Sequence, residues 1–277
     1  MKKFIALLLA LMFVLSFAAC GSTADKDAAA ADSAKLILGT SADYAPFEFM
    51  YPDESGTMQY GGIDVSVAKY IADNMGKELQ VENMAFDYLL VALQKGDYDF
   101  VIAAMEDTPD REQSADFSDP YYTDIPARIL VRAADAEQYN SLADFDGKTV
   151  AAQTATTKLD IVNNDMPGAI AQPLQLVTDM VNELVNGKVD ALVLDGAVAE
   201  EYAAANPDLA IAAASDELGT AAPYCVAVAK GDPKGLLPAI NEAIAKMTAE
   251  NAVEQFIADA DALGDVAEEV SVDAPEE

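Results

Sequence analysis

The feature that most constrains the fold is a phrase that occurs twice. A helical pattern from Asp87 to Lys95 is stopped by Gly96 and followed by Asp-Tyr-Asp99-Phe-Val-Ile. A second, from Thr178 to Asn186, is stopped by Gly187 and followed by Lys-Val-Asp190-Ala-Leu-Val. Glycine ends helices because the left-handed cap position suits a residue without a Cβ. The short apolar runs that follow read as buried strands. Upstream, Leu36-Ile-Leu reads as a strand, and Asp64 as the cap of a helix whose apolar face is Ala68, Ile71, Ala72 and Met75. Strands alternating with helices imply parallel sheets. The duplicated phrase therefore predicts two α/β lobes built on one plan, within a folded part of about residues 35–263.

Ligands in open α/β sheets gather beyond the carboxyl ends of the strands. Arg111 follows the first duplicated strand and Asp195 ends the second. If the lobes face one another, a cation and a carboxylate look into one cleft, as a zwitterionic amino acid requires. On spacing alone, each residue could equally belong to a surface ion pair.

The chain begins with Lys2 and Lys3, an apolar run from Phe4 to Phe17, and Ala18-Ala19-Cys20, which together read as an export signal, residues 1–19. At about 14 residues the run falls short of the roughly 20 that a spanning helix needs. Small residues before a cysteine resemble the lipobox of bacterial lipoproteins, in which the thiol is acylated and becomes the new amino terminus. Phe17 departs from the Leu or Val usual there, and plain secretion after Ala19 is the alternative. Residues 20–34 would then be the anchor and a flexible leash with a reach of roughly 20 Å. The acidic residues 264–277 are expected to fray.

Removing residues 1–19 leaves 14 basic against 48 acidic groups, a net charge of −34. Nucleic acid is excluded as a partner, since such a surface gains no counterion-release energy from phosphates. It should also stand off anionic lipid unless an acyl chain holds it there. The chain has no His, which removes the commonest general base and the commonest metal ligand. No catalytic residue, metal or cofactor is expected. With Cys20 acylated, Cys225 is the only other thiol, and its strand-like surroundings suggest a buried, inert one.

Further motifs stand in order along the body: Gly39-Thr-Ser-Ala-Asp-Tyr44-Ala-Pro-Phe-Glu48-Phe, Gly61-Gly-Ile-Asp64-Val, Asp99-Phe-Val-Ile-Ala-Ala-Met105 and Thr108-Pro-Asp-Arg111. They continue with Asp116-Phe-Ser-Asp-Pro-Tyr-Tyr122, Ser141-Leu-Ala-Asp-Phe-Asp-Gly147-Lys-Thr-Val, Thr156-Thr157 and Val189-Asp190-Ala-Leu-Val-Leu-Asp195. In this order and spacing the chain resembles the extracellular solute-binding proteins, family 3, which deliver amino acids to ABC importers. The resemblance implies an α/β, two-lobed periplasmic-binding-protein-like fold (type II, Venus flytrap) with a hinge of two crossover strands. Lobe 1 would hold 35–122 and 225–263, lobe 2 would hold 127–220, and the hinge would lie at 123–126 and 221–224.

The same resemblance implies a ligand grip. Arg111 would hold the α-carboxylate with both arms of its guanidinium. The backbone N–H of Thr157, at a helix start beside Thr156, would add to that hold. Asp195 would accept the α-ammonium, joined by the main chain at Ala104 beside Met105. Tyr44 and Phe86 would wall the ligand, although core packing explains either ring as well. The implied partners are a small-molecule amino acid, an ABC permease and, through lipid on Cys20, the cell membrane. The protein is expected to be an extracytoplasmic monomer.

This chain departs from the family at Glu106, where Ser or Thr is common, at Ala155, where Gly is common, and at Ser66, where a second acid is common. Ser41 also replaces an Asp used by some binders of basic amino acids. An inward Glu106 favours a neutral polar or basic ligand and disfavours a dicarboxylate, because an unpaired buried charge is costly. Two rival functions remain open. An enzyme of the cyclohexadienyl or arogenate dehydratase kind needs a placed acid, and Glu106 is the candidate. A sensory or cell-wall-linked module is expected to carry a fused signalling or transglycosylase domain, and the chain ends too soon for one.

Overall fold

The computed structural model describes residues 34–272, with side-chain surroundings through residue 264. The predicted export signal, Cys20 and most of the leash lie outside the described residues. The first strands are β1 (Lys35–Thr40), β2 (Phe49–Pro52) and β3 (Met58–Gly61), followed by helix α1 (Ile63–Asn74) and β4 (Glu78–Asn83). Helix α2 (Leu89–Lys95) leads to β5 (Phe100–Val101), β6 (Ala115–Phe117), β7 (Tyr122–Thr123) and β8 (Arg128–Arg132). Then come β9 (Thr149–Gln153), α3 (Thr157–Asp165), β10 (Ile170–Leu174), α4 (Val177–Val185), β11 (Ala191–Leu194) and α5 (Gly196–Ala205). The chain closes with β12 (Leu209–Ile211), β13 (Pro223–Tyr224), β14 (Ala227–Ala229), α6 (Leu237–Ala249) and α7 (Ala252–Val272).

Two five-stranded sheets result, in the orders β4-β1-β5-β14-β6 and β10-β9-β11-β8-β12. β1 runs parallel to β5, and β9 runs parallel to both β10 and β11, as strand–helix–strand units require. β14 returns from beyond the second sheet to lie antiparallel between β5 and β6. The chain therefore crosses between the sheets twice, and the two crossings pair as β7 with β13, Tyr122 opposite Tyr224 and Thr123 opposite Pro223.

The duplicated phrase has a structural counterpart. Gly96 and Gly187 adopt left-handed φ values of 84° and 69° at the ends of α2 and α4. Asp99 accepts the Ile37 N–H at 2.6 Å, and Asp190 accepts the Thr149 N–H at 2.8 Å. Each carboxylate thus ties the start of one strand to its parallel neighbour. That tie sets the height at which both strands end, and the strand ends carry the site.

Three expectations need correction. Asp64 does not cap α1. Gly62 holds the cap position with φ 114°, where a Cβ would meet the Phe47 carbonyl oxygen at 2.2 Å. Asp64 instead points inward, accepting the Ala104 N–H at 2.6 Å and the Tyr121 hydroxyl at 2.8 Å. The strand expected to run on past Val101 stops there, and the chain turns through Ala104 at φ 45°. The stretch from Gly264 is helical as far as Val272 rather than frayed, because Ala and Glu are good helix formers and one interior Gly costs only about 1 kcal/mol.

Apolar cores back the sheets. Leu38, Phe100, Ile71, Ile240 and Met247 are fully or almost fully buried in one cluster, and Ile129, Val150, Val193 and Phe145 are buried in another. Each such side chain contributes about 1.5–3 kcal/mol. Cys225 is buried, its N–H bonded to the Met105 carbonyl at 2.9 Å. Burial pushes its thiol up to about 11, so it is protonated at neutral pH.

Candidate ligand-binding site

The site lies where strands of both sheets end. β1 leads into Ser41, Asp43 and Tyr44, and β5 into Ala104 and Glu106. β9 leads into Ala155-Thr156-Thr157 and β11 into Asp195. Ala155 takes the left-handed conformation, φ 65°, at the position where glycine is usual. Thr156 caps α3, its hydroxyl donating to the Gln153 carbonyl at 2.6 Å and accepting the Leu159 N–H.

Glu106 is 5% exposed and points inward. Its Oε2 takes Arg111 Nη1 at 2.9 Å, and its Oε1 takes the Thr157 hydroxyl at 2.7 Å and Lys158 Nζ at 2.5 Å. Arg111 also donates to the Glu106 carbonyl at 2.8 Å and, across to the second sheet, to the Ala155 carbonyl at 3.1 Å. Its guanidinium carbon lies 5.3 Å from the centroid of the Phe86 ring, close enough for cation–π attraction. Lys158 reaches Asp195 Oδ1 at 2.5 Å as well, while the Tyr44 hydroxyl donates to Asp195 Oδ2 at 2.7 Å. Asp195 starts α5 without capping it, because its carboxylate is committed to Lys158 and Tyr44.

Burial alone would raise the Glu106 carboxyl, but the Lys158 and Arg111 charges outweigh it and hold the group at about 2. Burial would lower Lys158, yet Asp195 and Glu106 together raise it. Burial, followed by the Asp195 charge, pushes the Tyr44 hydroxyl well up, so it remains a hydrogen-bond donor.

A second acidic group lies at the far end. Asp43, raised mainly by burial, accepts the Ser41 hydroxyl at 3.2 Å and, from the start of α4, the Val177 N–H at 2.8 Å. Glu48 is buried, with one carboxyl oxygen unpartnered. Burial and neighbouring Asp64 raise it well above the carboxylate range. Asp64, which hydrogen-bonds Glu48, is itself raised to about 6 by burial. Ser41, Asp43, Tyr44, Glu48, Phe86 and Ala104 line a cavity with Glu106, Lys158 and Asp195 that leaves about 10 Å³, room for a single water. Among the described residues, no group of three His, Cys, Asp or Glu is placed to hold a metal ion.

Of the residues expected from sequence, Tyr44, Phe86, Ala104, Glu106, Arg111, Thr156, Thr157 and Asp195 come together here. Met105 stands apart: its side chain is buried in an apolar cluster with Leu89 and Val101. Sequence reading passed over Lys158, Asp43 and Glu48. Lys158 carried one usable signal, a lone cation directly after the helix-starting Thr156-Thr157 pair.

Residues 36–259 match the profile of the bacterial extracellular solute-binding proteins, family 3. The chain belongs to this family. It is thus an extracytoplasmic solute-binding protein with the two-lobed fold. It is 35% identical over 211 residues to the arginine-binding extracellular protein ArtP of Bacillus subtilis, covering 76% of this chain and 79% of that protein. A probable histidine-binding protein of Neisseria gonorrhoeae is 33% identical, with 89% of this chain and 91% of the other covered. The crystal structure of an amino acid ABC transporter substrate-binding protein from Streptococcus pneumoniae, bound to L-arginine, superposes with a TM-score of 0.78 at 35% identity. That match covers 85% of this solute-binding protein and 97% of the other chain.

Proposed function

We propose that this solute-binding protein is the lipid-anchored, substrate-binding component of an amino-acid ABC importer. It closes on a polar amino acid, basic in preference to neutral, and is not an enzyme. Arg111 and the Thr157 N–H take the α-carboxylate, and Asp195 takes the α-ammonium. Lobe 1 comprises 35–122 and 225–263, lobe 2 comprises 127–220, and opening about the β7–β13 pair admits the ligand. Acylation of Cys20 holds the protein at the membrane beside its permease. ArtP and the arginine-bound structure support this ligand class.

The observation that carries the preference for a basic ligand is the charge of the lining. Asp43, Glu106 and Asp195 face only two cations, Lys158 and Arg111, and no Lys or Arg pairs with Asp43 among the described residues. A zwitterion adds no net charge, so a cationic side chain completes the balance, and a buried charge is tolerated only when paired. Asp43 and the unpartnered Glu48 oxygen supply acceptors for such a side chain.

A thermal-shift screen of the twenty amino acids with ornithine and cystine tests this reading. A ligand at 100 times its Kd should stabilise by about 2.7 kcal/mol. Arginine, ornithine or lysine should give the largest shifts, and a preference for aspartate or glutamate would overturn the proposal. Incubation with prephenate or arogenate tests the enzymatic alternative, in which turnover would be seen.

A further inference from the structure

Lys158 follows the threonine pair at the start of α3, and its side chain turns into the cleft rather than out to solvent, leaving it 8% exposed. An ammonium group has three N–H donors. All three of these are used: Nζ meets Glu106 Oε1 and Asp195 Oδ1, both at 2.5 Å, and the Thr157 hydroxyl at 3.1 Å. Glu106 follows a strand of the first sheet and Asp195 a strand of the second, so one ammonium joins the two lobes. A primary ammonium held by two carboxylates and a hydroxyl is chemically what the α-ammonium of a free amino acid would be in the same place.

We propose that Lys158 sets the affinity and side-chain selectivity of the cleft, acting as a tethered competitor for the ligand's α-ammonium. The proposal rests on the reading above that Asp195 receives that group. The Tyr44 hydroxyl occupies Oδ2 of Asp195, so the oxygen for which an incoming ammonium must compete is the one Lys158 holds. Binding makes Lys158 give up Asp195 while it keeps Glu106 and Thr157. Glu106 stays neutralised by two cations and attracts a basic ligand side chain less than a bare carboxylate would. Lys158 therefore weakens binding of every α-amino acid and narrows the advantage of basic over neutral ones.

The test uses Lys158→Met, which keeps the length and apolar stem of the side chain, beside Lys158→Arg, which restores a cation. Calorimetric titration with L-arginine and L-glutamine should show Lys158→Met binding L-arginine about tenfold tighter or more. L-Glutamine should gain less, and Lys158→Arg should return towards wild type. A Lys158→Met protein with native circular dichroism that binds L-arginine no tighter than wild type would overturn the proposal. So would an equal gain for both ligands.

A second measurement needs no ligand. Small-angle scattering without added amino acid should give Lys158→Met a larger radius of gyration than wild type, because the ammonium joining the lobes is gone. Identical radii would overturn the proposal. Should wild type bind none of the amino acids tested, the proposed ligand class fails, and the scattering comparison alone then decides the role of Lys158. If Lys158→Met does not fold, Lys158→Gln takes its place in both experiments.

Discussion

At Glu106, burial and charge pull in opposite directions. Withdrawal from water opposes ionisation, while Lys158, Arg111 and the Thr157 hydroxyl stabilise the carboxylate, and the balance leaves it near 2 against an ordinary 4.5. A carboxyl held below its unfolded value stabilises the fold fully above about pH 4.5 and loses that contribution as pH falls towards about 2. Glu106→Gln should therefore flatten stability against pH in that window. A shift of this size corresponds to on the order of 3 kcal/mol, measurable by urea denaturation at a series of pH values. Arg111 supplies a second test. Its guanidinium reaches Glu106 and Ala155 from one position, so Arg111→Ala should abolish stabilisation by amino acids while leaving native circular dichroism. Wild-type-like thermal shifts in that variant would remove Arg111 from the binding scheme.

Among the elements, the two strand starts pinned by aspartate fix the geometry of the site. Asp99 and Asp190 each accept a backbone N–H of the neighbouring parallel strand, and each is reinforced by a cation, Lys234 at 2.7 Å and Arg132 at 3.8 Å. Without the carboxylate that N–H loses its partner, at a cost of about 1–3 kcal/mol. Asp99→Ala and Asp190→Ala should each lower the unfolding free energy by about that amount. Both should also weaken ligand binding, although neither residue lines the cavity, because the strand ends carrying Glu106 and Asp195 lose their register. Unchanged affinity in either variant would show that the register is set elsewhere. The equivalence of the two aspartates was visible in the sequence as a repeated phrase. Their hydrogen-bond partners were not, since Ile37 lies 62 residues from Asp99 and Thr149 lies 41 from Asp190.

For the molecule as a whole, sixteen basic groups stand against 48 acidic ones. A field of that sign draws cations towards the cleft and is screened by salt over about 10 Å at 0.1 M. The association rate of L-arginine should fall steeply between low and high salt in stopped-flow measurements, and that of L-glutamine much less. Equal salt dependence for the two would place the selectivity entirely in contacts inside the cleft. The paired crossings β7 and β13 form a two-stranded sheet of their own, separate from both five-stranded sheets, so the proposed opening about this pair would break neither five-stranded ladder.

Local signals settled much of this protein in advance. Glycine stops, strand-length apolar runs and ordered short motifs are written in neighbouring residues, and they were enough for the α/β class and the two-lobed plan, while Arg111, Thr157 and Asp195 were expected at one site only through the family resemblance. The local signals misplaced Asp64, because whether an acid caps its own helix or serves a distant N–H depends on what lies 40 residues away at Ala104. They also passed over Lys158. A lysine at a helix start is ordinarily a solvated charge, and only the tertiary structure brings Glu106 and Asp195 within reach of one ammonium. Burial and long-range pairing decide the charge state of a side chain and the partner it meets, and neither is a property of the residues beside it in the chain.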